Sequence, residues 1–133
     1  MNFSEYVSIL EIIEDLKSEA TSCAVIVEGK RDEEGLKAIG VEAEFFRVKG
    51  ERGTTILEIC ERVRENYKCA IIFVDIDRAG KAVAKKLRHY LSQMGVVRVE
   101  RYRLNLLSKL ETEQVENIPV RIRRLTEIFY RLG

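Results

Sequence analysis

Three acids stand where apolar stretches end. Glu28 closes the run that begins at Cys23, Asp75 closes Cys69-Ala-Ile-Ile-Phe-Val, and Asp77 lies two residues further on. Strands buried on both faces seldom tolerate a carboxylate except at a rim, where solvent or a cation offsets its charge. If the chain stays extended past Asp75, Asp75 and Asp77 leave on the same side, with Cα atoms roughly 6.5–7 Å apart. With Glu28 from a neighbouring strand, three carboxylates converge on one point and repel one another unless a divalent cation sits among them. Mg²⁺ suits such a set, being a hard ion held by few carboxylates and completed by water and phosphate. The plainer alternative is that each acid caps the helix that follows, where the macrodipole favours negative charge.

Other motifs that share pieces of this pattern fail. For a calcium loop, Ala79 stands where a third ligand is required and Lys86 where the bidentate Glu belongs. For a Walker A loop, Gly80-Lys81 lacks the earlier glycine, and Ala82 replaces the Ser or Thr. The nucleophile strand of haloacid-dehalogenase phosphatases shares Asp-x-Asp but opens its fold, whereas here the motif is at mid-chain.

The elements that must position these acids follow from apolar spacing. Phe3, Tyr6, Val7, Leu10, Ile13 and Leu16 predict an amphipathic helix over 3–20. Strands are expected at 23–28, 43–48, 69–74 and 96–99. Between them, helices are expected over 31–39, from Thr54 or Thr55 to 66, and over 80–94, with Gly40 and Gly95 ending the first and last. Residues 101–133 hold one or two further helices, the last bearing Ile122, Leu125, Ile128, Phe129 and Leu132. Strand and helix alternate from 23 to 99, which calls for an α/β fold with a mostly parallel four-stranded sheet between helical layers. In such sheets ligands gather beyond the carboxyl ends of the strands, where these acids fall. The two terminal helices are expected to pack together on one sheet face, or else one of them forms a dimer interface.

The 133 residues make one domain, 46% hydrophobic and 34% charged, with a lone proline and no linker or repeat. The longest apolar run is too short to cross a bilayer, and the first residues do not read as a signal peptide, so a cytoplasmic protein is expected. Cys23, Cys60 and Cys69 then read as reduced core thiols. The net charge of +1 hides an asymmetry, with acids gathered in the first twenty residues and arginines in the tail. Arg121, Arg123 and Arg124 are the tail's candidates for contacting a polyanion.

Val25-Ile-Val-Glu28-Gly29-Lys30-Arg31-Asp32, followed by Phe73-Val-Asp75-Ile-Asp77-Arg78-Ala79-Gly80, resembles the Toprim domain of topoisomerases, bacterial-type primases and small ribosomal-RNA maturases. The likeness covers residues 23–99 and is closest to the small stand-alone Toprim proteins. It implies a Rossmann-like three-layer fold and Mg²⁺-dependent phosphodiester chemistry on RNA or DNA, with Mn²⁺ as a substitute ion. Glu28 would be general acid or base and help hold metal, and Asp75 and Asp77 would ligate it. Gly29 and Gly80 would keep the turns tight enough for phosphate to approach. Gly50 matches the glycine that closes the second strand, and Asp32 a flanking charge. Lys30, Arg78 and Lys81 are expected as phosphate contacts or as solvated surface. No tyrosine nucleophile is implied: Tyr67, Tyr90, Tyr102 and Tyr130 read as packing or surface residues, and His89 as a surface residue. Water is then the nucleophile, and hydrolysis the simplest reaction. The competing expectation is a metal-dependent nucleic-acid-binding module, without cleavage, that serves a protein partner. A structural or dimerising domain with a vestigial site is a third.

Overall fold

The protein, seen as a computed structural model, is described over residues 1–50 and 53–132. The side chains of Arg131 and Leu132 lie outside the described residues. Four strands form one all-parallel sheet: β1 (Ala24–Val27), β2 (Phe45–Arg47), β3 (Cys69–Ile72) and β4 (Val97–Val99). Their order across the sheet is β2-β1-β3-β4. The helices are α1 (Phe3–Glu19), α2 (Lys30–Ala38), α3 (Ile56–Asn66), α4 (Arg78–Gln93), α5 (Arg101–Lys109) and α6 (Ile118–Leu132), with a 3₁₀ turn at Val115–Asn117. No helix among the described residues is long and apolar enough to cross a membrane.

The crossovers explain the layering. The chain steps one way from β1 to β2 and the other way from β2 to β3 and on to β4. With a constant right hand, α2 must cover one face and α3 and α4 the other. So it does. Val25, Val27, Ile71 and Phe73 pack with Leu36 of α2 and with α1, α5 and Ile118. Ala24, Ile26, Ala70, Ile72 and Val74 pack with Cys60 and Val63 of α3 and with Ala84, Leu87 and Leu91 of α4. The direction of winding reverses between β1 and β3, which opens a crevice beyond their carboxyl ends.

The four strands are shorter than expected, yet bonding to their neighbours runs on past the ladders of β3 and β2. The β3 ladder ends at Ile72, yet the Phe73 N–H still donates to the Ile26 carbonyl (2.8 Å), and Phe73 and Val74 stay buried. Likewise β2 covers only Phe45–Arg47, although the Val48 and Lys49 N–H groups go on bonding to Val27 and Glu28. Thr55, not Thr54, caps α3, its Oγ1 accepting the Glu58 N–H at 3.2 Å. The N-terminal helix packs chiefly on α5, and reaches α6 through the stacked rings of Tyr6 and Phe129, 5.2 Å apart.

One expectation is overturned. Cys23 and Cys69 are joined in a disulfide, and Cys60 is the free, buried thiol, which burial pushes up to about 11. The reason is register: Ala24 lies opposite Ala70, so the preceding residues of these parallel strands are neighbours, with Cα atoms 4.9 Å apart.

Candidate functional site

The acids are carried by the two central strands. Glu28 follows β1 and turns its carboxylate across to the next strand, where Oε1 accepts the Asp75 N–H at 3.0 Å. A side chain thus continues the hydrogen bonding that the strands have given up. Lys49, at the end of β2, places its Nζ 3.4 Å from Glu28 Oε2. Asp75 Oδ1 accepts the backbone N–H of Val115 at 2.8 Å. Asp77 caps α4, its Oδ1 accepting the Gly80 N–H at 2.8 Å. The helix-cap alternative therefore holds for Asp77, while Asp75 and Glu28 do other work.

The tail closes over this loop. The Ile76 N–H donates to the Glu113 carbonyl at 2.9 Å, and Gln114 Nε2 reaches Asp77 Oδ2 at 3.5 Å. Arg103, only 3% exposed, lies beneath it. Its Nε donates to the Val74 carbonyl at 3.0 Å, with longer contacts of 3.4 Å to the Asp75 carbonyl and to Glu100 Oε1. Burial pulls this guanidinium below its ordinary pKa, and Glu100, Glu28 and Asp75 oppose that.

Negative charge is crowded here. Burial first, and then Asp32, Glu28 and Asp77, push the Asp75 carboxyl up to about 6, against the lowering effect of the Val115 N–H. Asp32 is itself buried, bonded to the Gly29 N–H at 3.1 Å, and raised by burial and by Glu28 and Glu116. In the unfolded chain an aspartate titrates near ~3.9. Between about pH 4 and 6 the folded protein therefore binds more protons, and its stability falls as pH rises through that window. Asp75→Asn keeps an oxygen acceptor for Val115 and removes the charge. Without divalent cations the variant should be more stable than wild type at pH 8 and indistinguishable at pH 4. Urea midpoints at the two pH values check this, and equal differences at both would refute it.

The structure brings Glu28, Asp75 and Asp77 to one edge, with Asp32 beside them. Among the described residues, however, no three His, Cys, Asp or Glu side chains are arranged to hold a metal ion. The donor chemistry still fits a hard cation, since Mg²⁺ commonly takes one or two carboxylates and fills its shell with water and phosphate. Lys30 is exposed and 3.9 Å from Glu34, as a solvated lysine would be. Arg78 and Lys81 lie exposed on the first turn of α4. Lys81 also lines a cavity of about 310 Å³ with Arg88, Glu100 and Arg103.

The two glycines differ. A Cβ on Gly80 would lie 2.0 Å from the Asp75 carbonyl oxygen, so only glycine permits this loop–helix contact. Gly29 is extended (φ −154°), and a Cβ there would meet nothing within 4 Å. Its turn does not depend on glycine. Lys49, Arg103, Gln114 and the Val115 N–H were not legible as site groups. Lys49 adjoined a glycine that ended a strand, and the others lay in a tail without a motif.

Fold and site together define a doubly wound, parallel α/β protein with a carboxylate cluster at its switch point. By sequence the chain belongs to the UPF0292 family. It is 39% identical over 88 residues to the UPF0292 protein MJ1624 of Methanocaldococcus jannaschii, covering 66% of this chain and 67% of that one. It is 33% identical over 118 residues to PYRAB04740 of Pyrococcus abyssi, covering 87% and 86%. Among solved structures, a putative protein from Aquifex aeolicus shares the fold, with a TM-score of 0.70 at 23% identity over 87% of this chain and 97% of that one. A scan of protein-family models matches none.

Proposed function

We propose that this protein is a cytoplasmic Toprim-type enzyme that hydrolyses phosphodiesters in RNA or DNA with a divalent cation, Mg²⁺ or in its place Mn²⁺. The observation that carries the reading is the placement of Glu28 and the Asp75–Asp77 pair, which end adjacent strands on either side of the switch point. Asp75 and Asp77 would hold the cation, with Glu28 as a further ligand. When bound, the ion would polarise a phosphate oxygen and offset the charge that develops there.

This chain's own residues supply the rest. The Asp75 N–H fixes one oxygen of Glu28, and the carboxyl takes up or gives the proton that hydrolysis requires. Lys49 offsets charge beside it. Arg78 and Lys81, exposed at the start of α4, meet the phosphates flanking the cleaved one. Val115, Gln114 and Arg103 hold the aspartate loop in place.

A second reading is a metal-dependent nucleic-acid-binding module that does not cut. It is favoured by a net charge too small to draw in long polyanions unaided. A labelled panel of single-stranded, duplex and structured RNA and DNA separates the two. Wild type and the Asp75→Asn, Asp77→Asn double variant would be compared in Mg²⁺, Mn²⁺ and EDTA. Cleavage is expected only with metal and both aspartates, the double variant losing at least a hundredfold in rate. Metal-dependent binding without cleavage supports the module. A wild type that binds neither metal nor nucleic acid refutes both.

A further inference from the structure

An apolar groove of about 570 Å³ runs between α1 and α6. Leu10, Ile13 and Glu14 of α1 line it, as do Pro119, Ile122 and Arg123 of α6. Ala38 and Ile39, where α2 ends, also line it. The helical period carries the strip on toward the end where α1 begins and α6 finishes. Phe3 lies seven residues before Leu10, and Tyr130 seven residues after Arg123, each on the same line of its helix. These are costly residues to leave in water: Phe3 is 58% exposed, Leu10 38% and Tyr130 80%. The two helices run antiparallel, because the start of α1 meets the end of α6 where Phe3 and Tyr6 contact Phe129 and Tyr6 Oη bonds Thr126 Oγ1 (3.0 Å).

The charges in the groove say what covers it. Its acidic wall carries Glu14 and its basic wall Arg123, which makes no ion pair among the described residues. Among the described residues Glu14 pairs with Lys17 alone, at 3.3 Å on an exposed face, a contact that holds it weakly. We infer that this groove is a homodimer interface, in which α1 of one protomer lies over α6 of its partner.

Two placements of a two-fold axis within this face can be compared. An axis across the groove sets α1 on α1 and Glu14 near Glu14, which like charges oppose. An axis along the groove sets α1 on the partner's α6, so that Glu14 of each protomer faces Arg123 of the other, giving two such pairs. The charges select the second.

Sedimentation equilibrium on the full chain from about 1 to several hundred µM tests the inference, with circular dichroism confirming each variant's fold. Wild type is expected to give a dimer mass. Ile122→Glu should give a monomer, and Glu14→Arg should weaken association at least tenfold. The Glu14→Arg, Arg123→Glu double variant, changed only at surface positions, should restore it. A wild-type monomer throughout that range would overturn the inference. So would a dimer indifferent to Ile122→Glu and Glu14→Arg, or a double variant that is not restored.

Discussion

Losing the Cys23–Cys69 bond is expected to lower stability by about 4 kcal/mol, from the entropy of an unfolded chain no longer cross-linked over 46 residues. For a domain of this size that corresponds to a melting temperature lower by roughly 10–20 °C. The comparison is wild type, oxidised and fully reduced, beside the Cys23→Ala, Cys69→Ala variant. Reduced wild type and the double variant should melt together, well below the oxidised protein. If oxidised and reduced proteins melt at one temperature, the bond contributes nothing. The bond lies at the amino ends of β1 and β3, while the acids lie at their carboxyl ends. The metal binding and cleavage proposed above, at temperatures where both forms are folded, should therefore not change with reduction. The bond ties the scaffold at the edge opposite the acids.

The second large effect is expected at Gly80. Alanine normally favours a helical position over glycine by about 1 kcal/mol. Here the added methyl would meet the backbone of Asp75 at 2.0 Å from the oxygen and 2.5 Å from the carbonyl carbon, neither of which can swing away as a flexible side chain could. Either the Asp75–Asp77 loop or the first turn of α4 must move, at a cost of about 1–3 kcal/mol. Because Asp77 caps that turn through the Gly80 N–H, the shift also displaces a proposed cation ligand. Gly80→Ala should thus lose both stability and metal affinity. Gly29→Ala is the control, since open space surrounds that position and its loss is limited to the few tenths to ~1 kcal/mol by which glycine is the better N-cap. Thermal melts and calorimetric metal titration would decide it. A Gly80→Ala protein as stable as wild type would show that the loop has slack the geometry denies.

Much of this was readable from spacing. Apolar runs ending in acids located β1, β3 and the rim where Glu28 and Asp75 lie, because a buried parallel strand seldom tolerates a carboxylate elsewhere. Gly40 and Gly95 ended helices as expected, each at positive φ. What escaped were pairs set by register rather than by neighbours in sequence. Cys23 and Cys69 look like two separate core thiols until Ala24 is set against Ala70. Arg103 looks like one of several tail arginines until α5 packs on the sheet and turns it inward beneath Val74. Asp32 looks like a surface charge at a helix start, yet it is buried and adds to the crowding at Asp75. The segment around Val115 offers only a backbone N–H, which no residue type announces.

That segment matters for how the protein can be cut and reused. The two acidic motifs look like a portable cassette spanning residues 23–99, but Asp75 and Ile76 each bond to backbone of residues 113–115. Removing everything after 99 would strip Asp75 of its amide partner and leave the Val74 carbonyl without Arg103. The unit that keeps the aspartate loop intact therefore runs past residue 99 to the 3₁₀ turn, and it also needs α1 and Ile118, which pack on the same sheet face.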